Sequence, residues 1–132
     1  MNSNAPDTGT EKQSVNFAVS SRKIVAESAD VQVKEFLLVP GEEVPWHHHS
    51  AVFDVFYCLT GSLTVERMDV FSGERLPDLV LQVGDSAKVE PGTAHRPFNA
   101  AAAQCLFLLV QGVGTYDFMR FTPNSSPTQP PS

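Results

Sequence analysis

The sequence predicts a single all-β domain, and three observations carry that prediction. Its 132 residues suffice for one compact domain and not for two ordinary ones. Short segments rich in Val, Phe, Leu and Tyr recur along the chain, separated by Gly, Pro and Asp. No stretch of ten or more residues holds a helical period, the one short exception being "RKIVAESA" at residues 22–29. Many short strands at such spacing build a sandwich or a barrel.

Residues 1–16 are polar and aperiodic and read as a tail. The first clear strand is "VQVKEFLLVP". Next come "VFDVFYCL" and "SLTVERM", flanking Thr60-Gly61, which reads as a hairpin turn. "DLVLQV" ends at a Gly-Asp turn and "SAKVE" at a Pro-Gly turn. "QCLFLLVQ" ends at "GVG"; its residues 105–110 are all apolar, which predicts a strand covered on both faces. "YDFMRF" closes the set, and residues 122–132, rich in Pro and Ser, form a second tail. The predicted domain is therefore residues 17–121.

Composition narrows the partners. A hydrophobic fraction of 42% with 18% charged residues is a globular balance. The formal net charge is −6 and no Lys/Arg cluster occurs, so neither nucleic acid nor an anionic membrane is an expected partner. The first residues lack the basic start and apolar core of a secretory signal, and no apolar run approaches the ~20 residues of a membrane helix. The expectation is a cytoplasmic protein. Cys58 and Cys105 sit within apolar runs and read as small buried hydrophobes rather than as a disulfide framework.

Chemistry concentrates in "VPWHHHSAVFD", which holds three of the four histidines. Pro45 before the run, and Val52, Phe53, Val55 and Phe56 after it, favour an extended chain. Alternate side chains of a strand share a face, so His47 and His49 point one way and His48 points the other way with Trp46. Such a pair can converge on one cation, and two imidazoles alone bind weakly, so further ligands are required. The fourth histidine, His95, follows a Gly-Asp turn, a strand and a Pro-Gly turn.

With His95 the chain resembles the cupin superfamily. The first cupin motif reads Gly, five residues, His-x-His, three or four residues, Glu, six residues, Gly; here Gly41, His47, His49, Asp54 and Gly61 occupy those places. The second reads Gly, five residues, Pro-x-Gly, two residues, His, three residues, Asn; here Gly84, Gly92, His95 and Asn99 fit, with the proline displaced by one to Pro91. The resemblance covers roughly residues 31–121. It implies a small antiparallel jelly-roll barrel, a double-stranded β-helix. It further implies one divalent metal held inside by His47, His49, Asp54 and His95.

Imidazoles with one carboxylate suit Fe, Mn, Ni, Zn or Cu. Asp54 stands where the family has Glu, and the lost methylene shortens its reach by about 1.3 Å. Either the backbone sits closer there, or the site is three histidines with Asp54 orienting one of them. The glycines are read as turn formers and Asn99 as a structural hydrogen-bonder. Parity from Asp54 puts Phe56 and Cys58 on the inner face. Phe36, Leu38, Phe56 and Phe107 are the candidates to line a substrate cavity. Arg96 alternates outward, toward a barrel mouth or a subunit contact; Tyr57 and Tyr116 are candidate hydrogen-bond donors or acids.

Such a site suggests a metalloenzyme of oxygenase, isomerase or lyase type, acting on a small oxygenated organic molecule. The alternative is a non-catalytic ligand-binding or sensor protein. A homodimer is expected in either case, because the resemblance implies pairing and the apolar strand at residues 105–110 suits a covered outer face.

Overall fold

The computed structural model describes residues 19–123; the tail at 1–16 lies outside them, as does nearly all of the tail at 122–132. Among the described residues there are ten strands and no helix. In chain order they are β1 (Ser21–Glu27), β2 (Val31–Leu38), β3 (His47–His48), β4 (Phe53–Thr60), β5 (Ser62–Asp69), β6 (Arg75–Gln82), β7 (Ser86–Val89), β8 (Thr93–Phe98), β9 (Cys105–Gly112) and β10 (Met119–Arg120).

They form two five-stranded sheets, ordered β1-β2-β9-β4-β7 and β10-β3-β8-β5-β6, with antiparallel neighbours throughout. This is the jelly-roll arrangement expected of the sequence. Each sheet turns one face inward. On β2 the inward set includes Phe36 and Leu38, on β4 Asp54, Phe56 and Cys58, and on β9 Cys105, Phe107 and Leu109. Leu63, Val65 and Leu81 meet them from the opposite sheet. Phe107 stacks on Phe36 with ring centroids 5.2 Å apart, and burial of such a ring contributes roughly 1.5–3 kcal/mol. Cys58 and Cys105 are buried free thiols.

Three local expectations are corrected. Residues 22–27 of that stretch form most of β1 and not a helical turn: Arg22 and Ile24 alternate inward while the strand pairs with β2. Thr60-Gly61 is not a hairpin, because β4 and β5 belong to different sheets. Gly61 (φ +75°) turns the chain from one sheet to the other, and a Cβ there would lie 2.2 Å from the Gln104 carbonyl oxygen. Finally, within the single chain β9 is covered on one face only. Leu106, Leu108 and Val110 point away from the core and are half-buried, screened by neighbours within their own sheet.

One strand gave no sequence signal. β8 contains Pro97, which argues against a mid-sheet strand. The Pro97 carbonyl nevertheless accepts from Val44 N–H at 2.8 Å, and β8 runs between β5 and β3. Asn99 closes the second motif structurally. Its amide donates to the carbonyls of Leu38 (3.0 Å) and Ala103 (2.7 Å), and its oxygen accepts from Ala101 N–H (2.9 Å).

Candidate metal centre

The two sheets bring together the four residues named from the sequence. His47 ends up directly opposite His95 across the β3–β8 pair, on one sheet. Asp54 projects from β4 on the other sheet, and His49 follows β3. All four are at most 3% exposed. One ligand atom from each lies within 4.8 Å of the others. Donors sharing an ion through bonds of about 2.1 Å sit roughly 3–4 Å apart, so modest side-chain movement closes the set around a metal. Asp54 Oδ2 is 2.7 Å from His95 Nε2 and 3.2 Å from His49 Nε2, so the shorter side chain does reach the centre.

Hydrogen bonding fixes which nitrogens face inward. His47 Nδ1 donates to the Pro45 carbonyl at 2.7 Å, His95 Nδ1 to the Thr93 carbonyl at 2.9 Å, and His49 Nδ1 to the Asp117 carbonyl at 2.5 Å. A carbonyl only accepts, so each Nδ1 carries the proton and a neutral ring turns its Nε2 lone pair inward. Two such lone pairs facing one carboxylate oxygen would repel it. The arrangement is therefore favourable only with positive charge among these atoms, as a proton or as a metal ion.

The ionisation tendencies agree. Burial, with the neighbouring His95 and His49, holds His47 well below the usual histidine range, so it is neutral and able to ligate. Burial also opposes charge on His49, but the Asp54 carboxylate outweighs it and shifts His49 upward. Burial would raise Asp54; with a proton on the facing rings, His49 and the hydrogen bonds from His49 and His95 overcome this and hold it well below the usual carboxylate range. Ring packing holds the imidazoles in place: His47 stacks on Phe118 at 4.2 Å, and Phe56 meets His95 edge-on at 5.9 Å.

Gln111 was not read from the sequence as a site residue. It sits opposite Asp54 across β4–β9, and its Nε2 donates to Asp54 Oδ1 at 2.9 Å. Its Oε1 is buried with no protein partner. The available signal was parity, since counting inward from Phe107 puts a lone polar residue on the core face at 111. Lys34 was missed in the same way, two residues before Phe36 on the inner face of β2 and 4% exposed.

Beside the centre lies a cavity of about 20 Å³, space for roughly one water-sized group. Phe36, Phe56 and Phe107 lie on its wall together with His47, Asp54 and Gln111. Leu38 does not; it is fully buried at the far end of β2, opposite Cys105. Tyr116 lines the cavity with its ring 5.4 Å from that of His49, whereas Tyr57 is exposed on the outer face of β4. His48 points away, toward Phe121, which Trp46 also meets. Arg96 pairs with Glu66 at 2.6 Å and with Glu43.

A cupin-domain family model matches residues 34–111, more than half of the chain. The chain belongs to the cupin family. No curated protein sequence matches this cupin. Among solved structures, a conserved protein with a double-stranded β-helix domain from Klebsiella pneumoniae subsp. pneumoniae MGH 78578 has a TM-score of 0.66 at 22% identity, covering 86% of this chain and 94% of that one. A recombinant oxalate oxidase in complex with glycolate has a TM-score of 0.61 at 20% identity, covering 68% of this cupin and 45% of the oxidase chain. A predicted oxalate decarboxylase from Thermotoga maritima has a TM-score of 0.55 at 22% identity, covering 64% of this cupin and 68% of that chain. At these identities the likeness speaks for the fold alone. Among the described residues, no helix is long and apolar enough to cross a membrane.

Proposed function

We propose that this cupin is a metal-dependent enzyme, of oxygenase, isomerase or lyase type, acting on a small oxygenated organic molecule. One observation carries the metal reading: three imidazoles, each with Nδ1–H committed to a backbone carbonyl, gather with one buried carboxylate so that one ligand atom of each lies within 4.8 Å of the others. That donor set suits Fe, Mn, Ni, Zn or Cu. A divalent ion held there supplies a Lewis acid, and with Fe, Mn or Cu a redox partner as well. The protein's own contribution is positional. Asp54 balances charge, Gln111 fixes the Asp54 oxygen, and the aromatic wall of Phe36, Phe56 and Phe107 limits water around the reacting group. The folds similar to this one include an oxalate oxidase and a predicted oxalate decarboxylase, which is in keeping with a small oxygenated substrate.

The test is turnover across a panel of small hydroxy-, keto- and carboxy-compounds, before and after chelation. The enzyme reading expects activity that chelator removes and added metal restores. Ligands that raise the melting temperature with no turnover anywhere in the panel would instead make the protein a binding module. The outer face of the β1-β2-β9-β4-β7 sheet, with Val33, Leu37, Val55, Leu106, Leu108 and Val110 half-buried, supports a homodimer contact.

A further inference from the structure

The four residues of the candidate site are at most 3% exposed, so an ion or a ligand reaches them only when part of the surrounding wall moves. Asp54 stands on β4, between β7 and β9, and His95 stands on β8, between β3 and β5. Moving either would break hydrogen-bonded pairing on two sides. The stretch between β9 and β10, residues 113–118, belongs to no strand and is half-buried or exposed along its length. Gly114 (φ +133°) turns the chain onto the site, and its N–H donates to the Asp30 carbonyl at 3.1 Å. From there the chain crosses to β10, a two-residue strand at the edge of its sheet.

This strap covers two of the four residues. Phe118 stacks on His47 with ring centroids 4.2 Å apart and the rings 10° from parallel, and Tyr116 packs on His49 at 5.4 Å. Both aromatic side chains line the cavity. Asp117, between them, is fastened from outside. Its carboxylate accepts from Ser50 N–H at 2.9 Å and from the Ser50 hydroxyl at 2.5 Å, and both bonds are exposed. Water can replace an exposed hydrogen bond at small net cost, whereas a buried one has no such substitute. Segments held by exposed bonds open locally far more often than the whole fold does.

We infer that residues 113–118 are the door of this site. The strap swings out from Gly114 and carries Tyr116 and Phe118 off His49 and His47, with the Ser50–Asp117 pair as its latch. Opening also takes the Asp117 carbonyl away from His49 Nδ1, so His49 is held in its ligating orientation only while the door is shut. What passes through, an ion or a small molecule, rests on the metal reading above; the opening itself is measured on metal-free protein.

The test treats full-length, metal-free protein with diethyl pyrocarbonate, which acylates accessible imidazoles, and reads His47 and His49 by tandem mass spectrometry. In wild type both should react at a rate nearly constant as urea rises toward the unfolding transition, because opening a six-residue strap exposes little surface and global unfolding exposes much. Ser50→Ala removes one charge-assisted hydrogen bond and should label about tenfold faster. Asp117→Ala should label at least as fast, and Ser50→Thr, which keeps the hydroxyl, at close to the wild-type rate. Ser50 is exposed, so its variants keep the test open if Asp117→Ala fails to fold. Labelling that climbs with urea as steeply as unfolding does overturns the inference, and so does an unchanged rate in Ser50→Ala and Asp117→Ala alike. Where zinc binds, its uptake should quicken in Ser50→Ala by the same factor; uptake no faster than in wild type overturns the door as well. Latch-dependent labelling in protein that takes up no metal would sink the metal reading and leave the door standing. Metal-binding protein whose labelling ignores the latch would do the reverse.

Discussion

Pro45 and Thr93 each stand two residues before a histidine and offer it a carbonyl. The same local device thus orients His47 and His95, and it depends on backbone rather than on a second side chain. His49 has no such local partner. It borrows the Asp117 carbonyl from 68 residues away, and Asp117 is itself held by Ser50 N–H (2.9 Å) and Ser50 Oγ (2.5 Å). Gln111 completes the arrangement by fixing Asp54 Oδ1. Replacing it by leucine should keep the fold and weaken metal affinity by roughly 10–100-fold, read by competition with a chromophoric chelator. Unchanged affinity would show that Asp54 needs no such support. His47, His49, Asp54 and His95 were legible because motif spacing records them; Gln111 and Lys34 were not, because a single polar residue in an apolar strand carries no pattern of its own.

Between elements, the tightest constraint is the corner at Gly61. Alanine there combines a left-handed backbone with a Cβ 2.2 Å from the Gln104 carbonyl, so Gly61→Ala should destabilise the fold by about 3 kcal/mol or more. Gly41 has φ +88° but open space around it, and Gly41→Ala should cost only about 1 kcal/mol. Urea unfolding of both variants measures the difference; similar losses would mean that the corner relaxes freely. The Thr60-Gly61 turn was visible in the sequence, but its role was misread. Periodicity identifies a strand without naming its partner, and whether two consecutive strands share a sheet depends on pairings such as β4 with β9, fixed far along the chain. Pro97 hid β8 for a different reason, since a proline in a strand is ordinarily a mark against it.

For the molecule as a whole, two faces have different fates. The inner faces close over the four residues of the candidate metal site, while the outer face of β9 presents Leu106, Leu108 and Val110 amid Val33, Leu37 and Val55. If that face joins two copies, wild type should sediment as a dimer at micromolar concentration and Leu108→Glu as a monomer. Metal content should not change, because Leu108 points away from the site. A monomeric wild type would leave the outer face without the proposed role. The central claim concerns the inner face, and elemental analysis of protein expressed without a histidine tag tests it most directly. Wild type should carry close to one transition-metal ion per chain and His95→Ala less than about a tenth of that. A folded wild type that takes up no Mn, Fe, Ni, Cu or Zn when each is offered in turn would contradict it.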